Sequence, residues 1–376
     1  MDKTPKTIER KPATNQSRRT FLTGSTSLGL ILAAGTAPAF ISEAGASKLR
    51  KVSFMLPWLF VGGHSFEFAA QKIFWKNRGL DVSIARGYGS GAATKAIATN
   101  QVQFSEASAS VVVLGAARGL DVVLIGAKLQ KGPMAISCRG DVGFEIKSPK
   151  DLERLHLVQA ANSGDTVMFD GFAKAAGIDA SKVKRTMVHP SKLLSTVISG
   201  RADCQGAYYV SNSATLDFKK PGAVHFLYAD YGMNTLDLSM ITTADMIKKD
   251  PDLVQLMVDG FMEGLKMQML EPEKALDIMI AAKPELKTRP RKLLITQLGN
   301  TNALSIGPSP EKHGLGWMSE ADQNKTRNMV VKYMPVKEVP PIQKLFTNQF
   351  AGNIKLTAAE WAKVKTEAAP YQLKKS

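Results

Sequence analysis

Cysteine is almost missing from this chain of 376 residues, with Cys138 and Cys204 as the only two. That excludes a disulfide scaffold and any zinc site built on cysteine pairs. No cysteine precedes residue 138, which also excludes a lipid-anchored cysteine near the N-terminus. The two thiols are able to close one bridge in an oxidising compartment. Nothing in the sequence fixes their separation, so two separately buried thiols are the expectation. Paired histidines are missing too: His64, His156, His189, His225 and His313 show no ligand spacing, and neither H-E-x-x-H nor G-x-S-x-G occurs. Gly87-Tyr88-Gly89-Ser90-Gly91 with Thr94-Lys95 fits neither G-x-G-x-x-G nor G-x-x-x-x-G-K-[ST], so nucleotide binding fails on spacing. Acids are outnumbered, 33 Asp and Glu against 49 Lys and Arg. The most apolar N-terminal stretch, Thr23 to Pro38, is short and diluted by Gly, Ala, Ser and Thr, a poor membrane span.

That stretch follows directly on Ser17-Arg18-Arg19-Thr20-Phe21-Leu22, which has the S-R-R-x-F-L form of a twin-arginine export signal. Small-x-small peptidase sites lie at Ala37-Pro38-Ala39 and Ala44-Gly45-Ala46, and cleavage near Ala46 is expected. The alternatives are an uncleaved anchor and a chance arginine pair. Residues 1–46 are thus expected to be a twin-arginine signal peptide, read by the twin-arginine translocase, and the mature chain to be a bacterial periplasmic protein. Removing them lowers the formal charge from +16 to +13. So basic a balance suits nucleic acid, an anionic membrane surface or an anionic solute. Export argues against nucleic acid. The lysines are scattered, which reads as a solvated surface whose field also favours a small anion.

Downstream, short apolar runs alternate with helical patterns, the mark of an α/β fold. Strands are expected over Lys51–Trp58, Leu80–Arg86, Phe104–Ala107 and Asp121–Leu129, with helices over His64–Arg78, Gly91–Thr99 and Val111–Arg118. After Gly132-Pro133 a second series begins, with strands over Met134–Cys138, Leu155–Ala160, Val183–Val188, Ala202–Tyr209 and Val224–Tyr228. From Thr243 onward only helices are expected: Asp252–Leu270, Pro272–Ile280, Arg291–Leu298, Glu320–Tyr333 and Ala358–Thr366.

Trp58, His64-Ser65-Phe66 and Phe74-Trp75-Lys76-Asn77-Arg78-Gly79-Leu80-Asp81-Val82 together resemble the opening of the nitrate, sulfonate and taurine type of periplasmic solute-binding protein, in particular its thiamine-pyrimidine-precursor branch. The likeness continues through Gly87-Tyr88-Gly89-Ser90-Gly91. Asn100-Gln101-Val102-Gln103-Phe104 stands where that family has G-x-x-D-F, so Gln103 is a departure. Ile198-Ser199-Gly200-Arg201-Ala202-Asp203 looks like the G-x-x-D-A step of the second lobe, and Leu345-Phe346-Thr347-Asn348-Gln349-Phe350 like the terminal T-N-x-F. The resemblance implies a type II periplasmic binding protein: two α/β lobes joined by a two-segment hinge near Ala127–Gly132 and Tyr228–Gly232, with a C-terminal helical portion packed on the first lobe. The corresponding boundaries are lobe 1 over 47–130, lobe 2 over 131–230, and completion of lobe 1 with the C-terminal helices over 231–376. The implied function is the substrate-binding component of an ABC importer, a monomer without cofactor, metal or catalysis, whose partners are a small-molecule ligand and an inner-membrane permease. A binding module for a sensor system is the alternative, as is a synthase-like enzyme on this scaffold. Fungal relatives that make the thiamine pyrimidine carry a Cys-Cys-Cys-Phe-Cys run, and this chain has none.

In open α/β sheets ligands sit beyond the carboxyl ends of strands. That rule selects Trp58, His64, Phe66, Tyr88, Ser90, Glu106, Ser108, Ser163, Thr166, Tyr208 and Tyr209 as candidate ligand contacts. Trp58 with Tyr208 and Tyr209 would stack on a planar ring from opposite lobes, and core packing is the rival reading for each. His64 would act as donor or weak base, or serve as a helix cap. Ser90 and its glycines would let backbone N–H groups approach an anion, or form a plain turn. Ser163 and Thr166 offer hydroxyls at a helix start, where Ser and Asp are caps first. Glu106 would grip an amino group or ring N–H, unless it is a solvated loop acid. Aromatic ends and Glu106 favour a pyrimidine-like ring as solute; the positive charge favours a sulfonate, nitrate or carboxylate.

Overall fold

The computed structural model describes residues 49–372, and the signal-peptide reading of residues 1–46 lies outside them. Four strands open the described chain: β1 (Arg50–Met55), β2 (Leu80–Ala85), β3 (Phe104–Ala107) and β4 (Val123–Leu129). Five more follow as β5 (Met134–Cys138), β6 (His156–Gln159), β7 (Lys184–Met187), β8 (Cys204–Tyr208) and β9 (Val224–Leu227), and β10 (Asp237–Thr242) comes last. They form two five-stranded sheets, ordered β2-β1-β3-β10-β4 and β7-β6-β8-β5-β9. The two orders are the same pattern. In each sheet the first three strands run parallel, and the strand delivered by the chain's crossing from the other lobe inserts antiparallel, β10 in the first and β5 in the second. Two crossings, over residues 130–133 and 232–236, therefore join the lobes, a few residues beyond the expected hinge positions.

β10 is the element the sequence reading missed. All six of its residues are buried, yet Asp237 and Ser239 interrupt the apolar pattern that would mark a central strand. Asp237 is tolerated there because Ser108 Oγ donates to its carboxylate at 2.7 Å and Leu238 N at 2.8 Å.

Cys138 and Cys204 form a disulfide, which corrects the expectation of two separate thiols. The reason is register: the two residues face each other as partners at the ends of antiparallel β5 and β8.

The departure at Gln103 also has a local cause. Gln103 Oε1 accepts the Ser53 N–H of β1 at 3.1 Å. In the second lobe Asp203 Oδ2 accepts the His156 N–H of β6 at 2.9 Å. An acceptor just before the third strand thus ties the first strand in both lobes, and an amide serves as well as a carboxylate. Asn100 and Gly200, three residues earlier, both take the left-handed conformation, with φ of 54° and 75°.

Helices that matter for the site are α1 (Ser65–Ala69), α2 (Ser90–Ala98), α3 (Ala109–Ala117), α4 (Gly164–Val167), α5 (Phe169–Ala176), α6 (Pro251–Leu270), α7 (Arg291–Ser305) and α8 (Glu320–Tyr333). The expected helix from His64 is continuous but changes pitch, with a π-helical turn over Ala70–Phe74 following α1. It packs on α6, where Gly260 lies under the Trp75 ring and Gly264 under the Phe66 carbonyl; a Cβ on Gly264 would meet that oxygen at 2.4 Å. Trp75 Nε1 donates to Met257 O at 2.9 Å. The C-terminal helices pack mainly on the first lobe, but two also touch the second. α8 lies against α3 and α5 and gives Met329 and Val330 to an apolar cluster shared by both lobes. α7 reaches the turn Tyr209–Ser213 that follows β8. The terminal segment is tied to the first sheet, since Thr347 N donates to Leu124 O at 3.0 Å and Asn348 exchanges two hydrogen bonds with Met318.

Candidate functional site

Between the lobes lies a cavity with about 420 Å³ of empty space, lined by Pro57, Trp58, Val61, Gly63, His64, Gly89, Ser90, Lys128 and Leu238 from one side and Ser163, Tyr208, Val210 and Ser211 from the other, with Thr301 of α7. Each strand end contributes as the parallel-sheet rule expects: Trp58 follows β1, Ser90 follows β2, Ser163 follows β6, and Tyr208 ends β8.

Five of the eleven sequence candidates line the cavity: Trp58, His64, Ser90, Ser163 and Tyr208. Trp58 packs against a second-lobe cluster that includes Val158 and Ala160. Its Nε1–H is buried and has no protein acceptor. Tyr208 OH sits 3.4 Å from Ser90 Oγ, a polar link across the cleft. Glycine at 164 is required there, because a Cβ would lie 2.0 Å from that hydroxyl.

The other six lie elsewhere. Phe66 is core, edge-on to Phe261 at 4.7 Å, because it faces α6. Tyr88 projects outward under the Arg86 guanidinium, with nearly half its surface exposed. Tyr209 turns towards His225, and its carbonyl accepts from Asn300 Nδ2 at 3.1 Å. Thr166 donates to Asp165 at 3.3 Å. Ser108 is buried, bonding Ser90 Oγ through its N–H at 3.0 Å and Asp237 through its hydroxyl. Glu106 is no solvated strand-end acid: it lies fully buried within β3, paired with Lys128.

Three donors of the glycine loop are spent within the protein. Gly87, Gly89 and Gly91 donate their N–H groups to Trp58 O, Pro57 O and Asn162 O at 3.0, 2.8 and 3.0 Å. These three bonds hold the loop against both lobes. Across the cleft, the start of α4 is occupied by its own acid, since Ser163 Oγ donates to the Asp165 carboxylate. Burial raises Asp165 to about 6.

Lys128, which sequence reasoning overlooked, is the one charged side chain in the cavity wall. The signal was present: it interrupts an otherwise apolar strand, Val123–Leu129, every residue of which is buried. Its ammonium pairs with Glu106 and lies 4.8 Å from the Phe66 ring centroid. Behind it, His64 Nδ1 lies 2.9 Å from Glu67 Oε1, and both side chains are buried. Burial drives His64 down to about 3, with Lys128 adding to the effect, so the imidazole is neutral. Burial likewise raises Glu67 to about 7 and Glu106 to about 8, against the opposing pull of Lys128. Apart from Lys128, no donor reaches Glu67 Oε2 or either Glu106 oxygen. The two carboxyls also repel each other's charge, which adds to the upward shift of Glu106.

His64, Glu67 and Glu106 are the one cluster with metal-ligand types among the described residues, their donor atoms lying within 4.8 Å of one another. Lys128 already places a cation on Glu106, so the cluster is internally compensated and does not favour a divalent ion.

A sequence profile described as NMT1/THI5 like matches residues 64–275. The chain belongs to that family. A protein of Bordetella bronchiseptica RB50 superposes with a TM-score of 0.61 at 15% identity, covering 86% of this chain and 98% of its own. The alkanesulfonate-binding protein SsuA from Xanthomonas axonopodis pv. citri, bound to MOPS, gives 0.61 at 10% identity over 80% and 100%. The ligand-binding component of an ABC-type import system from Staphylococcus aureus, with zinc bound, gives 0.60 at 10% over 80% and 97%. At these identities the likeness establishes the fold, the two-lobed type II periplasmic binding protein. No curated protein matches the sequence. Within this NMT1/THI5-like chain, no described helix is long and apolar enough to cross a membrane.

Proposed function

We propose that the protein is the solute-binding component of an ABC importer, exported to the periplasm by the twin-arginine route and acting there as a monomer. It closes its lobes on a small solute and presents the closed form to the permease. The observation that carries this reading is the inter-lobe cavity, walled by strand ends from both sheets. Solutes enclosed between two lobes joined by two short crossings are captured by hinge closure. Trp58, His64, Ser90, Ser163 and Tyr208 are the sequence candidates retained as contacts in this proposal, joined by Lys128. The aromatic walls suit a planar body, and the protein performs no chemistry on it. A thermal-shift screen of the purified protein against pyrimidines, sulfonates, nitrate and aromatic acids tests the reading, because a ligand bound only by the folded state raises the melting temperature. Solute recovered unchanged after incubation supports binding without turnover; a converted product would reject it. Silence across every solute class, with a scattering profile that never changes, would reject the importer role.

A further inference from the structure

We propose that a small cavity between the two lobe crossings is a binding site for one alkali cation, Na⁺ or K⁺, held by the Asp237 carboxylate and the main-chain carbonyls of Met233 and Thr235.

The cavity is separate from the solute cleft and shares no lining residue with it. Gly132 of the first crossing, Met233 and Thr235 of the second, Asp237 of β10 and Ser110 of α3 line it, and Met329 of α8 helps to close it. It has room for about one water-sized body.

What faces that space is oxygen. Outside its chain neighbours, the three nearest atoms that a Cβ on Gly132 would meet are Met233 O and Thr235 O, each at 3.8 Å, and Asp237 Oδ2 at 3.9 Å. No donor among the described residues reaches either carbonyl. The protons close by are spent elsewhere. Gly132 N donates to Asn234 Oδ1 at 3.3 Å. Ser108 Oγ donates to Asp237 Oδ2 at 2.7 Å, so in the 3.2 Å contact between Ser108 and Ser110 the donor is the Ser110 hydroxyl, which turns its proton away as well.

Asp237 is, besides, a buried acid without a cation of its own. Only 1% of it is exposed, and Lys128, whose field reaches it, is already paired with Glu106. An ionised carboxylate in such surroundings needs a counter-charge or takes up a proton. A water would donate two hydrogens at most and bring no charge. An alkali cation meets all three oxygens and neutralises the carboxylate, whereas a divalent ion would leave one charge uncompensated. Carboxylate and carbonyl oxygens are the ligands that hard cations take. The ion's place between the crossings makes it part of the joint about which the lobes move.

Melting temperatures of the purified protein in NaCl, KCl and N-methylglucamine chloride at equal ionic strength test this. The expected result is a rise of about 2 °C in an alkali salt over the bulky cation, once the ion exceeds its Kd about tenfold. Two variants localise the effect. The methyl of Gly132→Ala would stand 3.8–3.9 Å from the three oxygens, an ordinary contact distance, so it fits the fold and takes the ion's place. Asp237→Asn keeps an acceptor for Ser108 and removes the charge. Each variant should melt at the same temperature in all the salts; if Asp237→Asn fails to fold, Gly132→Ala decides. Crystals soaked in rubidium chloride should show an anomalous peak beside Asp237 Oδ2 that Gly132→Ala lacks. Equal melting of the wild type in every salt overturns the proposal, as does a rise that survives Gly132→Ala, or a water where rubidium is expected. The importer reading is untouched by any of these outcomes, since it stands or falls on solute binding.

Discussion

Lys128 Nζ and a Glu106 carboxylate oxygen form an ion pair in which neither side chain has more than 1% of its surface exposed. Breaking such a pair from one side leaves an uncompensated buried charge, which costs about 3–5 kcal/mol. Here the orphaned partner is able to protonate. Lys128→Met should therefore be markedly less destabilising at about pH 5.5 than at about pH 8.5, where Glu106 must ionise beside Glu67. Urea unfolding at the two pH values reads the difference.

The same cluster sets the pH dependence of folding. Burial raises Glu67 to about 7, Glu106 to about 8 and Asp237 to about 7. Unfolded, these acids titrate near 4, so from there up to about pH 8 the native state binds more protons and stability falls as pH rises. His64, lowered to about 3, acts with the opposite sign, its contribution complete above about pH 6.5. Between about pH 6.5 and 8 the carboxyl trend stands alone, and Tm should fall there. Glu106→Gln should flatten the slope in a calorimetric series.

Reduction should matter although the chain has a large core. The Cys138–Cys204 bond joins β5 to β8 across a sequence separation of 66. Loop-closure entropy gives such a crosslink about 2–4 kcal/mol. The paired Cys138→Ser and Cys204→Ser variant should melt several degrees lower, and a reductant should lower the wild-type Tm while leaving the variant unmoved.

Gln297 of α7 joins the lobes through one side chain. Its Oε1 accepts the Gly62 N–H at 3.0 Å, and its Nε2 donates to Ser211 O and Thr215 Oγ1, both at 3.1 Å. Gln297→Ala removes the link and leaves buried groups unpaired, a loss of about 1–3 kcal/mol. The expected outcome is a larger radius of gyration for the ligand-free protein by scattering. An unchanged radius would assign Gln297 to packing alone.

Much of this fold was legible in the sequence because its strands obey local rules. Nine of ten follow apolar runs bounded by turn residues, and the aromatic, His and Gly-rich segments near residues 58–91 fall in order at the cleft. What escaped depends on distant partners. β10 was hidden by Asp237, whose burial makes sense only beside Ser108. The disulfide needed the β5–β8 register. At the site, Trp58 and Tyr208 were reachable from strand ends, while Phe66 turned to the core because α6 offers Gly264 to its backbone. Lys128 carried a readable signal, a charge inside an apolar strand, but its role emerges only once Glu106 and the cavity are placed on either side of it.

The central claim is that two lobes close on a solute held between them. Small-angle scattering of the purified protein, with and without the solute found by the thermal-shift screen, tests it most directly. The account predicts a smaller radius of gyration with solute, and loss of that change in Lys128→Met. An identical profile in both states, with the solute bound, would contradict it.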